Sequence, residues 1–400
     1  MLAVPSSLRV SSYGPGHGAP ELGDSCRTHR GCPKTSANRN GVTLEGESGG
    51  PVELSVSQEE IIVELGLTTF VEVDESGISP GERLRQVVAE ARLDDELGLD
   101  VYGVGEHHRP DMAASAPEIV LAAIAGATSS IKLTSAVTVL SSADPVRVFQ
   151  SFVTLDLVSN GRAELMVGRG SFTESFPLFG YSLSDYDELF AEKLDLLLAL
   201  REDRPVTWSG RFRPALDQAV VHPRPERPLP IWIAVGGTPN SVIRAGTLGL
   251  PLALAIIGGQ PASFVPLVDL YRRALEYGGH DPATPLAVHS HGYVFSDEAA
   301  ARAEFLPAYR ATFAKIGRER GWQPMSDAAV EALIAPEGAL FFGTPETVAD
   351  KIIRLREMMN IDRFELHTSH VGHDLTMGSI ELFATRVAPT VRDRSRPTAG

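Results

Sequence analysis

The sequence is poor in cysteine, in long apolar runs and in positive charge, and each scarcity removes a class of function. Only Cys26 and Cys32 occur among 400 residues, both in one polar N-terminal stretch. Two cysteines do not make the disulfide framework of a secreted domain, and the spacing in "CRTHRGC" fits no standard zinc pattern. No apolar run reaches the ~20 residues that span a bilayer, so no membrane segment is expected. Lys and Arg number 36 against 51 Asp and Glu, a formal net charge of −15. An acidic surface repels phosphate backbones, which argues against nucleic acid as a partner. The N-terminal stretch also lacks the continuous apolar core of a signal peptide, so the cytoplasm is the expected compartment. No motif repeats along the chain, which excludes a solenoid.

What is present divides into three parts. Residues 1–57 are rich in Ser, Gly, Pro, Arg and Asn with almost no apolar periodicity. Such a segment cannot bury enough surface to offset its ordering entropy, and disorder is expected there. Residues 58–393 read as one large domain and 394–400 as a flexible tail. Within the domain, short β-branched runs alternate with amphipathic segments carrying helix-start signals. "IIVELGLTTFVEV", "DVYGVGE", "IKLTSAVTVL", "RAELMVG", "PIWIAVGG", "LPLALAII", "PLAVHSHGYVF" and "DRFELHTSH" are eight expected strands. Helix starts are marked by Ser79 with Glu82, Ser115 with Glu118, Asp144 before Pro145 and Thr238 before Pro239. Asn160-Gly161 marks a stop. After the fourth strand come a Phe- and Ser-rich loop, a helix over 184–201 and a proline-rich connection through Pro230. Eight strands alternating with helices predict a parallel sheet closed into an α/β (β/α)8 TIM barrel, with an insertion after strand four.

In such barrels the reacting groups lie where strands end and the following loops begin. "GEHHRPD" follows strand two. Side chains alternate along a strand, so Gly103, Gly105 and His107 share a face while Glu106 and His108 point toward the helices. Two glycines beneath a histidine leave room for a flat ligand or for a close backbone. "GRG", Gly168 to Gly170, and "GGTPNS", Gly236 to Ser241, together suit an anion. Free N–H groups at a helix start attract a phosphate, and Arg169 supplies the matching cation. The simpler alternative is that Thr238 only caps its own helix. Neither glycine motif completes a dinucleotide fingerprint. "HTSHVGH" sets His367, His370 and His373 at even spacing but without the helical geometry of a zincin, so pocket lining is expected rather than metal. His289 and His291 share one strand face and are read the same way.

"LGLDVYGVGEHH", "KLTSAVTVLSSADPVRVFQSFVTLDLVSNGRAELMVGRG" and "PIWIAVGGTPNSVIRAGTLGLP" together resemble the bacterial luciferase-like flavin-dependent oxidoreductases. The resemblance runs from Glu64 to Val391 and implies a barrel using reduced FMN or the deazaflavin F420. It makes His107 the histidine beside the flavin ring. It gives Arg169, Gly237, Thr238 and Ser241 to the flavin phosphate and places Gly170 among the cofactor-binding residues. It also implies a cis peptide at Ala136–Val137 behind the ring. Light-emitting members carry a cysteine where this chain has Gly168, which argues against bioluminescence. The function implied is a monooxygenase that takes reduced FMN from a separate NAD(P)H-dependent flavin reductase and uses O2 to oxidise a small organic substrate. His108, Phe172, His291, His367 and His370 would line the substrate pocket, and Phe172, Phe176 and Phe179 would form a lid. The alternative is F420-dependent hydride transfer; a non-catalytic flavin-binding barrel is a third reading. A homodimer follows from family habit.

Overall fold

In the computed structural model the described residues are 63–73, 77–368 and 371–395, so the expectations for residues 1–57 and for the tail beyond 395 lie outside them. Eight parallel strands close into a ring. They are β1 (Glu64–Thr69), β2 (Val101–Val104), β3 (Lys132–Ser135) continued by β4 (Thr138–Val139), β5 (Ala163–Gly168), β8 (Ile231–Val235), β9 (Leu252–Ala255), β10 (Leu286–Val294) and β12 (Arg363–His367), which returns to β1. β6 (Val206–Trp208) and β7 (Leu216–Ala219) form a small antiparallel hairpin in the insertion, and β11 (Phe341–Gly343) pairs with the far half of β10. The fold is the expected (β/α)8 barrel.

The helices on the outside are α1 (Pro80–Glu96), α2 (Pro117–Ala127), α3 (Pro145–Val158), the short α4 (Ser175–Leu178), α5 (Tyr186–Arg201), α6 (Pro239–Thr247), α7 (Val265–Tyr277), α8 (Glu298–Arg320), α9 (Asp327–Ile334), α10 (Pro345–Met359), α11 (His373–Leu382) and α12 (Ala388–Arg394). Their starts follow the chemistry of exposed N–H groups. Ser79 accepts from the Glu82 N–H, and Asp144 accepts from Val146 and Arg147. Asn160 and Gly161, both at positive φ, end the turn after α3. The Ser115–Glu118 box does not form. Pro117 takes the first helical position, which makes Ala116 the cap and leaves Ser115 one residue too early.

Three further departures have local causes. The third strand breaks in two around a cis peptide between Ala136 and Val137, as the family resemblance implies. β6 and β7 are short and half-exposed, so they carry no apolar run to read. The expected last helix is two, joined by a π turn over Phe383–Val387.

The main apolar core lies between the strand ring and the helices, whereas Met166, Trp232, Ala253 and Ala287 form a small separate cluster inside the barrel. Beside it the interior carries a charged network. Arg363 bonds Glu164 at 2.6 and 3.0 Å and Glu64 at 2.7 Å, lies 4.5 Å from the Trp232 ring, and Lys132 closes on Glu64. Burial opposes charge on this arginine, and the two flanking glutamates reverse that, holding its pKa above the usual value.

Candidate active site

The mouth of the barrel is built from the C-terminal ends of the strands. Alternation along β1 and its extension carries Thr68, Phe70 and Glu72 inward. Thr68 Oγ1 lies 3.1 Å from His289 Nδ1 and 3.4 Å from His367 Nδ1. His367 Nε2 lies 2.8 Å from a Glu72 carboxylate oxygen, to which it donates. His291 packs 4.6 Å from His367 and 5.5 Å from Phe313. Phe70 stands in the middle, 4.3 Å from His367 and 4.8 Å from His107.

His107 is fixed from both sides. Its N–H donates to Ala114 O at 2.8 Å, and its ring lies edge-on between Phe70 and Phe172, the latter 5.1 Å away. Nδ1 is buried with no hydrogen-bond partner. Burial pushes the pKa of His107 down to about 4, with Glu72 opposing. The ring is therefore neutral near pH 7, not poised to titrate there as its unperturbed value suggests. The two glycines beneath it do not open a void. A Cβ on Gly105 would lie 2.6 Å from Phe70 and 3.0 Å from Ala136 O, and one on Gly103 would lie 2.8 Å from Thr68. The glycines admit close neighbours, which is the other half of the expectation.

Glu106 and His108 face the other way. His108 Nε2 and Glu106 are 3.0 Å apart, Glu106 also accepts from Val139 N–H at 2.8 Å, and His108 packs against Phe179 at 5.2 Å. Phe172 covers His107 with a guanidinium on each side, Arg109 at 4.9 Å and Arg320 at 4.8 Å. Arg109 in turn holds Asp111, Glu174 and Glu319 at 3.0, 2.5 and 2.7 Å, tying the loop after β5 to the end of α8. Phe176 is fully buried against Tyr186, while Phe179 is half exposed. His373 bonds Glu90 at 2.9 Å, away from the other histidines, and His370 lies outside the described residues.

A few residues along the same loop stands the anion motif. Arg169 Nη2 donates to Thr238 Oγ1 at 3.0 Å, and Nη1 donates to Asp187 at 2.5 Å. The guanidinium lies 5.1 Å from the Tyr186 ring, whose hydroxyl donates to Gly170 O. Thr238 occupies the cap position of α6, yet its hydroxyl makes no capping bond. Pro239 has no N–H and Ser241 N–H donates to Thr238 O at 3.1 Å, so Asn240 N–H is the first-turn donor left for another acceptor. Added Cβ atoms would meet nothing at Gly236 and only Phe264, at 3.7 Å, at Gly237. Open backbone, a helix start, a hydroxyl and a guanidinium fit a phosphate. Gly170, at φ +82°, turns the chain from this cradle toward Phe172.

Residues 63–360 match the model of the luciferase-like monooxygenase family, and the chain belongs to that family. It is 29% identical over 319 residues to the N-acetyl-S-alkylcysteine monooxygenase of Bacillus subtilis, covering 74% of this chain and 91% of that protein. It is 32% identical over 161 residues to an F420-dependent glucose-6-phosphate dehydrogenase of Amycolatopsis mediterranei, 38% of this chain and 48% of that protein. An uncharacterised Sinorhizobium fredii protein is 32% identical over 42% of this chain, which spans half of that relative's length. Among solved structures, monooxygenase RslO1 from Streptomyces bottropensis superposes with a TM-score of 0.71 at 22% identity, over 82% of this chain and 99% of that one. The FMN-bound oxygenating constituent of 3,6-diketocamphane monooxygenase from Pseudomonas putida gives 0.67 at 20%, over 82% and 98%. At these identities the structures bear on the fold. Members of the family include monooxygenases and F420-dependent enzymes, and none of the described helices is long and apolar enough to cross a membrane.

Sequence reading missed Thr68, Phe70 and Glu72, because they lie within the run "IIVELGLTTFVEV" read as the first strand. Their i, i+2 spacing was the available signal. Arg109, Glu319 and Arg320 had no such signal, since their meeting depends on how α8 crosses the mouth.

Proposed function

We propose that this chain is an FMN-dependent monooxygenase that receives reduced FMN from a separate NAD(P)H-dependent reductase and uses O2 to oxidise a small organic substrate. The observation that carries the reading is the Arg169–Thr238 pair at the open start of α6, joined by one loop to the covered ring of His107. Arg169, Thr238, Ser241 and the Gly170 and Gly237 backbones would hold the phosphate, and Ala136 and Val137 would back the ring. Bound reduced FMN would supply the electrons for oxygen chemistry. The chain's own part is to orient, to exclude water and to manage protons. Neutral His107 offers Nδ1 to a hydrogen-bonding group in the pocket. Phe172 and its two flanking arginines close the mouth over it. His291 and His367, with Phe70 and Phe313, give the pocket an aromatic wall with polar edges suited to an apolar molecule carrying a polar function.

The test is oxygen consumption in a mixture of this protein, FMN, NADH and a flavin reductase, with organic sulfides, ketones and aldehydes as trial substrates. Substrate-dependent product carrying labelled oxygen from O2 is expected. Turnover with reduced F420 but none with reduced FMN would overturn the proposal in favour of hydride transfer. A relative of the F420 type keeps that second reading in view. The anionic tail of F420 is disfavoured by a chain of net charge −15 with Asp187 beside the cradle arginine. A homodimer belongs to the same proposal. Ile119 on α2 and Val158 on α3 are 68% and 64% exposed beside a shared groove of about 240 Å³, a place for a second copy. Ile119→Asp should shift the mass in solution from dimer to monomer. A monomeric wild-type protein would remove the dimer.

A further inference from the structure

Directly below the mouth, the barrel interior holds two polar side chains that are buried with polar atoms lacking a hydrogen-bond partner. Both oxygens of Glu365 lack a hydrogen-bond partner, as does Nε2 of His289. Glu365 is fully buried and His289 is 7% exposed. The two residues are partners in the β10–β12 ladder and face the interior together. Leaving either unsatisfied is costly, by about 1–3 kcal/mol for a neutral group and more for a charged one. A protonated carboxyl and a bare imidazole nitrogen would satisfy each other through one buried water with two polar partners.

The hydrogen bonds above them form a continuous series. A carboxylate only accepts, so the contact with Glu72 places a hydrogen on Nε2 of His367. With that ring neutral, Nδ1 accepts from the Thr68 hydroxyl, whose oxygen accepts in turn from Nδ1–H of His289. Nε2 of His289 is then the bare nitrogen that faces the Glu365 level.

We propose that Glu365 is an internal proton store for the site, connected through His289 and Thr68 to His367 at the mouth. The balance is simple. Glu365 O–H gives its proton to a bridging water, which gives one of its own to Nε2 of His289. Nδ1–H of His289 passes to the Thr68 oxygen, and the Thr68 O–H proton passes to Nδ1 of His367. One proton leaves Glu365 and one arrives on His367, while His289 and Thr68 each give one and take one. The carboxylate left behind faces Arg363, 3.7 Å away, and the imidazolium formed is held by Glu72. The groups facing Glu365 are Arg363 on its own strand, Glu64 on β1, Glu164 on β5 and His289 on β10, with Lys132 on β3 bonded to Glu64. Burial, the largest influence, raises the Glu365 pKa to about 7 against the pull of Arg363, so the carboxyl is divided between its protonated and ionised forms near neutrality and can give up or take back a proton there. An internal source would serve chemistry beneath Phe172, which packs over His107, without drawing on bulk water. Glu365 acts through other residues and is a positioning residue in this scheme, whose use in turnover rests on the monooxygenase reading.

Two measurements on the cofactor-free protein test the store without that reading. Infrared spectra should contain a carbonyl band of a protonated buried carboxyl that fades as pH rises through about 7 and is missing in Glu365→Gln. Side-chain nitrogen NMR should find His289 as the Nδ1–H tautomer well below neutrality and as Nε2–H above it. In the FMN-loaded enzyme, Glu365→Gln should keep FMN affinity, lose roughly 100-fold in turnover, the low end for a positioned proton donor, and lose the inflection near neutrality from its pH profile. Thr68→Val should lose the inflection too. A band unaffected by Glu365→Gln, a His289 that is Nε2–H throughout, or variants with wild-type pH profiles would overturn the proposal. If Glu365→Gln does not fold, the two wild-type spectra decide. A protein that shows both signatures but does not bind FMN supports the store and removes the monooxygenase reading instead.

Discussion

Arg169→Ala tests the phosphate cradle. The guanidinium is mostly buried, donates to Thr238 at 3.0 Å and to Asp187 at 2.5 Å, and lies 5.1 Å from Tyr186. A hydrogen bond to a charged group contributes about 1.5–3 kcal/mol. At about 1.4 kcal/mol per factor of ten, the variant should bind FMN roughly 10- to 150-fold more weakly. Riboflavin has the same ring and no phosphate, so its affinity should stay within about twofold of wild type if the arginine acts on the phosphate. Asp187 competes for the same guanidinium from a side chain that is 73% exposed. Exposed pairs contribute only about 0–1 kcal/mol, so Asp187→Asn should tighten FMN binding by no more than about fivefold. Fluorescence titration of both ligands against the three proteins is the assay, with thermal melts to show that each variant is folded. Equal losses for FMN and riboflavin, or no loss for either, would refute the assignment of the phosphate to Arg169.

Three other outcomes follow from the same geometry. Arg363→Met should destabilise the protein by about 3–5 kcal/mol in denaturant unfolding, because it leaves Glu164 and Glu64 facing each other inside the barrel; a loss under about 1 kcal/mol would contradict this. His107 has a folded pKa of about 4, below the ordinary histidine value of 6.5, so between those limits the unfolded chain binds a proton that the folded chain refuses. Stability from this group is thus full above about pH 6.5 and is lost as pH falls toward 4. His107→Asn should therefore gain on wild type by up to about 3 kcal/mol across that window, and a pH-independent difference would refute the shift. Arg109→Ala removes the tie among Asp111, Glu174 and Glu319, and hydrogen exchange over 171–182 should speed up at least tenfold; unchanged exchange would mean the loop is held by packing alone.

The barrel was legible because β-branched runs and capped helices alternate eight times, and each device has a local cause. Ser79, Asp144 and the Asn160-Gly161 stop act within one turn of chain, and all three are where the pattern puts them. The meeting of Arg169 with Thr238 follows motifs equally local, since Thr238 and the paired glycines are neighbours and Arg169 is bracketed by glycines. What escaped depends on distance in sequence. Glu72 becomes informative only when His367, nearly the whole domain away, lies beside it. The charged barrel interior reads as ordinary polar residues until ring closure brings Arg363 onto Glu64 and Glu164. Burial, which moves His107 away from neutrality, is likewise a property of Phe70 and Phe172 closing over it, and of nothing in "GEHHRPD" itself.

The central claim is that one phosphorylated flavin spans the loop between Arg169 and His107. A crystal structure of the protein soaked with FMN tests it most directly. The account predicts phosphate oxygens within hydrogen-bonding distance of Arg169 and Thr238 at the start of α6, with the ring system against Ala136–Val137 and beside His107. Phosphate density anywhere else, or a ring that never approaches the His107 imidazole, would contradict it.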